Sequence, residues 1–224
     1  MIRFIFLIIA LLFSGLYAQD LKYAKAIVEK LASEEMHGRG YVNGGDSIAA
    51  EFIADEFKKY NLQKWNNTYF QSYSFPINSF PGILSVSSGN KQFEVAKDFN
   101  VNAFSGSVNG EKTIFRLKAK KLENINYLLK LSKIDFSDKV IITDNKAKSK
   151  LIFNPFNAAA LFFEYDKLPA WSVHDGATSY IWFSADVLKK SFKKTKKVHI
   201  TSENVFHKKH NTRNSFELNK SFRI

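Results

Sequence analysis

The sequence predicts a mixed α/β protein in which helices come first and a β-rich stretch follows. Three observations predict it. Apolar residues recur at helical spacing between positions 24 and 57. From Tyr69 the period drops to two, with Tyr69, Gln71, Tyr73 and Phe75 alternating with polar neighbours. Three short apolar runs at 140–142, 158–163 and 180–183, bounded by polar turns, then read as strands. A chain of 224 residues fits one domain, or one domain carrying a sizeable insertion. Its 22 phenylalanines supply bulky core material and argue against disorder of the whole chain.

The first eighteen residues have the order of a secretory signal peptide. Arg3 gives a positive start, residues 4–13 are an unbroken apolar run, and Ser14, Gly15 and Ala18 are small. Cleavage after Ala18 is expected, placing the mature protein outside the cytoplasm, secreted or periplasmic. An uncleaved anchor is the alternative, but the run is short of the roughly 20 apolar residues of a membrane helix. No later segment is long and apolar enough to span a bilayer. The absence of cysteine excludes a lipid-modified cysteine, disulfides, thiolate zinc ligation and cysteine catalysis.

Two helices open the mature chain. Asp20 is placed to cap the first, whose apolar face is Ala24, Ile27, Val28 and Leu31, ending near Ser33. The loop from His37 to Asn43, with Gly38 and Gly40 around Arg39, reads as irregular and closely packed. Gly44 and Gly45 break it. Asp46 or Ser47 then caps a second helix with an apolar stripe of Ile48, Phe52, Ile53 and Phe57. Asn61 suits the left-handed residue that ends it. Pro76 and Pro81 punctuate the chain after the first strand. A hairpin is expected around Ser88, Gly89 and Asn90, a turn over 106–110, and short helices over 122–131 and 185–192. The lysine-rich stretch 189–197 is the best boundary candidate.

The formal charge of +12 suggests nucleic acid at first sight. The excess is mostly lysine, clustered at Lys118, Lys120 and Lys121 and at Lys189, Lys190, Lys193, Lys194, Lys196 and Lys197. Only five arginines occur, and no basic helix carries base-reading side chains. No nucleic-acid partner is expected. A solvated lysine surface is the first reading, and weak contact with anionic envelope surfaces or acidic polymers is the second.

No catalytic motif is visible. Gly106-Ser107-Val108-Asn109-Gly110 has the glycines of a nucleophile elbow with its serine one place early. Walker, Gly-x-Gly-x-x-Gly and His-Glu-x-x-His patterns do not occur. His207 and His210 have a spacing that could set two imidazoles on one helical turn, but Lys208 and Lys209 lie between them and only Glu203 is near. His174-Asp175-Gly176 reads as a turn, and His37 as a loop residue bonded to backbone. His199 stands alone. From residues alone, catalytic and metal ligands are assigned to none.

The segment from Leu31 to Phe75 adds a resemblance. Gly38-Arg39, the Gly44-Gly45 loop, and Ala49-Ala50 followed by Ile53 and Phe57 are similar to the opening of secreted zinc aminopeptidases related to aminopeptidase S, aminopeptidase Y and glutamate carboxypeptidase. Tyr69, Gln71, Tyr73 and Phe75 look like the first strand of that family's catalytic sheet. Asn61 stands where the family usually has glycine. Residues 138–142 and 158–163 are similar to the Gly-Lys-Ile-Val and Gly-Ala-x-x-Val-Ile strands of the family's inserted protease-associated domain. After the signal peptide over 1–18, the resemblance implies the N-terminal part of a mixed-sheet zinc exopeptidase domain over 19–75, a β-rich protease-associated-like insertion over 76–197, and a return into the peptidase domain over 198–224. It thins near Asn211-Thr212-Arg213-Asn214. The family's zinc ligands begin beyond the next strand at a His-x-Asp motif that has no counterpart here. No metal or catalytic residue is therefore carried over. Zinc and peptide substrates are expected of the full-length family, and an inactive truncated relative is the expectation for this chain. A non-catalytic exported binding module is the alternative, and an unrelated serine or carboxylate hydrolase the third reading.

Overall fold

The computed structural model describes residues 20–170 and 182–217. The signal-peptide reading, the His174 turn, and part of the run at 180–183 lie outside the described residues. Backbone contacts divide the chain into two compact units, one made of residues up to 71 and from 213 onward, the other of residues 72–212. The architecture is mixed α/β.

The first unit opens with α1 (Leu21–Leu31), where the Asp20 carboxylate accepts from the Tyr23 amide at 2.9 Å, the expected N-cap. No residue of α1 is fully buried, and Val28 is 66% exposed. The face turned inward is Tyr23, Ile27 and Leu31, which keeps Ile27 and Leu31 of the predicted stripe and leaves Ala24 and Val28 exposed. Two short 3-10 turns, Glu34–Arg39 and Val42–Gly44, fill the loop. His37, Gly38, Arg39, Asn43 and Gly44 all have positive φ there, so the loop is as irregular as its glycines suggest.

Helix α2 (Gly45–Lys59) starts earlier than expected, and no side chain caps it. Gly44 at φ 67° turns the chain into the helix. Gly45 then lies so close to the preceding loop that a Cβ would stand 2.6 Å from the Met36 carbonyl oxygen. This close approach replaces the Asp46 or Ser47 cap. The buried positions are Gly45, Ala50, Ala54 and Glu56, while Ile48 is exposed and Phe52, Ile53 and Phe57 are half-buried. Small residues let the helix seat closely, and the larger ones flank the contact. Asn61 takes the left-handed conformation at φ 53°, and the Leu62 amide donates back to the Phe57 carbonyl, as anticipated.

The chain enters the second unit through β1 (Phe70–Ser79) and returns through β10 (Val205–Ser215), and these two strands pair as a two-stranded sheet. Pro76 does not end β1. A two-stranded ribbon has an outer edge on each strand, where a missing N–H costs no ladder bond. The returning strand is fastened in the first unit by Arg213, which donates to Glu51 at 2.7 Å and lies over the Phe70 ring, and by Ser215, which donates to the Ala50 carbonyl.

The second unit is an eight-stranded mixed sheet in the order β3-β2-β9-β5-β6-β7-β8-β4. Its members are β2 (Leu84–Ser88), β3 (Lys91–Phe93), β4 (Phe99–Val101), β5 (Val108–Arg116), β6 (Lys139–Asp144), β7 (Ala160–Tyr165), β8 (Phe183–Leu188) and β9 (Lys197–Ser202). Strands β5 to β8 run parallel, and β4, β9, β2 and β3 extend the sheet antiparallel at its two sides. The hairpin turn at Gly89-Asn90 is as predicted, with Ser88 facing Lys91.

One face of the sheet is covered by α3 (Ile125–Leu131), α4 (Lys148–Leu151) and a 3-10 turn at Ala119–Glu123, over Ile141, Leu161 and Phe163. On the other face Phe93, Phe99, Phe162, Phe183 and Phe192 pack together. Each fully buried ring contributes roughly 1.5–3 kcal/mol, and here the phenylalanine-rich composition finds its use.

Several expectations are corrected. Residues 183–188 form strand β8, and only Lys189–Phe192 forms a helix, α5. Phe183, Ala185 and Val187 alternate with Ser184 and Asp186, a period of two that a helical reading passes over. The predicted turn over 106–110 is shifted, because Gly110 lies inside β5 opposite Ile200. The expected helix over 122–131 is split into the 3-10 turn and α3, whose N-cap Asn124 accepts from the Tyr127 amide. The lysine-rich stretch is no boundary. It leads into β9, which is hydrogen-bonded between β2 and β5, and the compact unit continues to Thr212.

Candidate functional site

The residues singled out from the sequence do not converge. His37 is exposed in the first 3-10 turn, and His199 is exposed on β9 opposite Glu111 and Ser87. His207 and His210 lie on β10, so the helical-turn arrangement does not exist. Their rings are 6.4 Å apart between centroids, and His210 meets Phe75 edge-on. His207 Nε2 is 3.2 Å from Ser79 Oγ, whose own hydrogen points to the Val205 carbonyl. Ser107 donates to the Asn204 side-chain oxygen at 2.6 Å and accepts from the Asn204 amide. An amide is no general base, so the near-elbow serine is a brace. Among the described residues no three of His, Asp or Glu gather as a metal-binding group, and the donors present do not fit a zinc site.

Sequence reasoning missed a buried polar cluster on the sheet of the second unit. Asp186 on β8 is nearly buried, and Lys148 at the start of α4 reaches both its oxygens at 2.7 and 2.9 Å. The same ammonium donates to Asn102 at 3.1 Å and lies over the Phe163 ring. Asn102 donates to the Ser184 hydroxyl, and Ser105 bridges the Ser184 carbonyl and amide. Sheet register brings Thr143, Phe163, Asp186 and Asn100 into one row. The signal in the sequence was the alternation of Ser184 and Asp186 among apolar residues, legible only with the strand assignment in place. A bidentate ammonium satisfies the buried carboxylate, so the cluster is a structural lock.

A second feature lies at the carboxyl ends of the parallel strands, where open α/β sheets place their clefts. A cleft of about 560 Å³ is lined there by Arg116 at the end of β5, Glu164 and Asp166 at the end of β7, and Lys189, Lys190 and Lys193. Arg116 pairs with Glu164 at 3.2 Å. Its second nitrogen donates to the Phe192 and Thr195 carbonyls. On the other side of α5, a cleft of about 350 Å³ is lined by Ser88, Lys91, Lys190, Ser191, Lys193, Lys194 and Thr195. Phe192 anchors this ledge, stacked on Phe93 at 4.0 Å and edge-on to Phe162.

No family model matches the sequence, and no curated protein matches it. Solved structures do. An aminopeptidase from Aneurinibacillus sp. strain AM-1 is similar over 75% of this chain and 41% of its own, at 10% identity and a TM-score of 0.47. A peptidase M28 precursor from Shewanella amazonensis SB2B is similar over 86% of this chain and 52% of its own, at 12% identity and a TM-score of 0.44. The chain spans about half the length of these structures or less. The likeness is one of partial shape.

Proposed function

We propose that these residues are the N-terminal part of an exported zinc-dependent aminopeptidase, a metallopeptidase of the hydrolase class, together with its protease-associated-like inserted domain. Among the described residues no donors gather as a metal-binding hydrolytic centre. The metal-binding half and the peptide substrate belong to the whole protein, which is secreted or periplasmic after removal of residues 1–18.

The observation that carries this reading is the path of the chain. It leaves the first unit through β1, builds an eight-stranded sheet, and returns through β10, the order along the chain that an insertion would give. The Gly38-Arg39 loop and the Ala49-Ala50 helix precede that insertion in the order the resemblance requires. Ala50 and Gly45 are buried contact points of the first unit, which gives those small residues a physical reason. Metal-assisted hydrolysis needs ligands that hold zinc and leave one position open, and the described donors supply no such set.

Reading the coding DNA downstream of codon 224 in all frames tests the proposal. A frame that encodes a Val-x-Gly strand followed by a His-x-Asp motif supports it. Downstream sequence with no such motif in any frame overturns the peptidase reading and leaves a non-catalytic exported binding module.

A further inference from the structure

The charge of the chain is unevenly placed. Residues 72–212 hold 22 lysines and arginines against 12 aspartates and glutamates, so the second unit carries ten of the twelve excess positive charges. Within it, Lys189, Lys190, Lys193 and Lys194 fall in six consecutive residues on the ledge formed by α5. All four are exposed, and none has an acidic partner among the described residues. The lysines elsewhere on this unit that do find partners, such as Lys139, Lys150 and Lys197, show that carboxylates were available for pairing.

The ledge is also held rigidly. Phe192 is buried among Phe93 and Phe162, Arg116 takes up the carbonyls of Phe192 and Thr195, and Lys91 takes up the carbonyl of Ser191. The Ser191 hydroxyl donates to Asp98. Backbone and anchors are therefore committed to fixing the ledge, while the ammonium groups of Lys190, Lys193 and Lys194 are left free around the cleft with the Ser88 and Thr195 hydroxyls. Holding like charges together is unfavourable, and a compact anion with more than one charge relieves it. Lysines act as point charges that gather around such a group, whereas a planar carboxylate favours the fork of an arginine.

We propose that the cleft lined by Lys91, Lys190, Lys193 and Lys194 is a binding site for phosphate groups. The site is independent of the peptidase reading and stands or falls separately from it. The phosphate is either a free, multiply charged ion or the headgroup of an anionic lipid surface.

Two arms distinguish the sources. The exported chain is titrated calorimetrically with inorganic pyrophosphate, and sedimented with phosphatidylcholine vesicles containing phosphatidylglycerol, both at low salt. Two variants with equal charge removal are compared, K190Q/K193Q/K194Q on the ledge and K118Q/K120Q/K121Q away from it. Each lysine near an anionic surface is worth about a five-fold factor, so the ledge variant is expected to lose roughly 100-fold in affinity, while the control stays near wild type. Thermal unfolding of both variants checks that the fold is intact. Saturable binding of pyrophosphate identifies a free phosphate ligand, and binding of vesicles alone identifies a surface. Equal loss in the two variants, or no binding in either arm, overturns the proposal.

Discussion

Replacing Lys148 by methionine keeps most of the length of the side chain and removes its charge. Asp186 is 5% exposed and takes both of its ion-pair contacts from the Lys148 ammonium. The variant leaves that carboxylate buried without a counter-charge, a change that costs about 3–5 kcal/mol in protein interiors. The Lys148 side chain retains 28% exposure, so water reaches the pair, and the lower end, about 3 kcal/mol, is the expected loss. Asp186→Asn is milder, about 1–2 kcal/mol, because the freed ammonium can turn to solvent and keeps Asn102. The double variant, an amide facing a thioether, should fall well short of the sum and give a coupling of about 2 kcal/mol. Urea unfolding followed by far-ultraviolet circular dichroism measures all three, with the slope against denaturant checked for constancy. A loss below about 1 kcal/mol for Lys148→Met, or additive effects, would refute the assignment of this cluster as a lock on the sheet.

Two further outcomes follow from the first unit. Gly45→Ala places a Cβ 2.6 Å from the Met36 carbonyl oxygen and 3.0 and 3.1 Å from backbone atoms of Gly40, none of which belongs to a flexible side chain. Destabilisation of about 1–3 kcal/mol is expected, exceeding that of Gly44→Ala, where φ is strained but no atom lies within reach. Thermal melts that rank the two the other way would contradict the close packing of the loop. Tyr23 donates to Glu56 at 2.7 Å, and this bond, with burial, pushes its phenol well above the usual tyrosine range. Lys59 and Tyr23 in turn hold the Glu56 carboxyl below the usual range. A raised phenol contributes stability below its ordinary pKa and loses it as pH rises through the folded value. A lowered carboxyl contributes above its ordinary pKa and loses it as pH falls through the folded value. Ultraviolet titration should therefore show one tyrosine ionising late, and Glu56→Gln should return it to the others. Its ionisation with the others in wild type would dismiss the contact.

Much of the fold was legible because local chemistry and tertiary need agreed. Asp20 before an apolar-periodic run, Asn61 at a helix end and Gly89-Asn90 between alternating residues are short-range signals, and each forms as read. The misreadings share a cause. Residues 183–187 are buried on both faces of the sheet, so their apolar content looks helical until the partners are known. Gly110 has φ 105° inside a strand, where a glycine signals a turn only in isolation. Lys189 to Lys197 look like a linker by composition, yet Phe192 pins them to the core. The polar lock was illegible because Lys148 and Asp186 are 38 residues apart and meet only once β7 and β8 pair. Spacing gave His207 and His210 a place on one helical turn, but β10 is a strand.

Metal content and peptidase activity of the chain test the central claim most directly. The chain is incubated with zinc, dialysed, and assayed for bound metal and for hydrolysis of aminoacyl p-nitroanilides. Sub-stoichiometric zinc and no turnover are predicted, because among the described residues no three histidines or carboxylates gather as a metal-binding group. Stoichiometric zinc retained through dialysis, with hydrolysis abolished by a chelator and restored by the metal, would contradict the account.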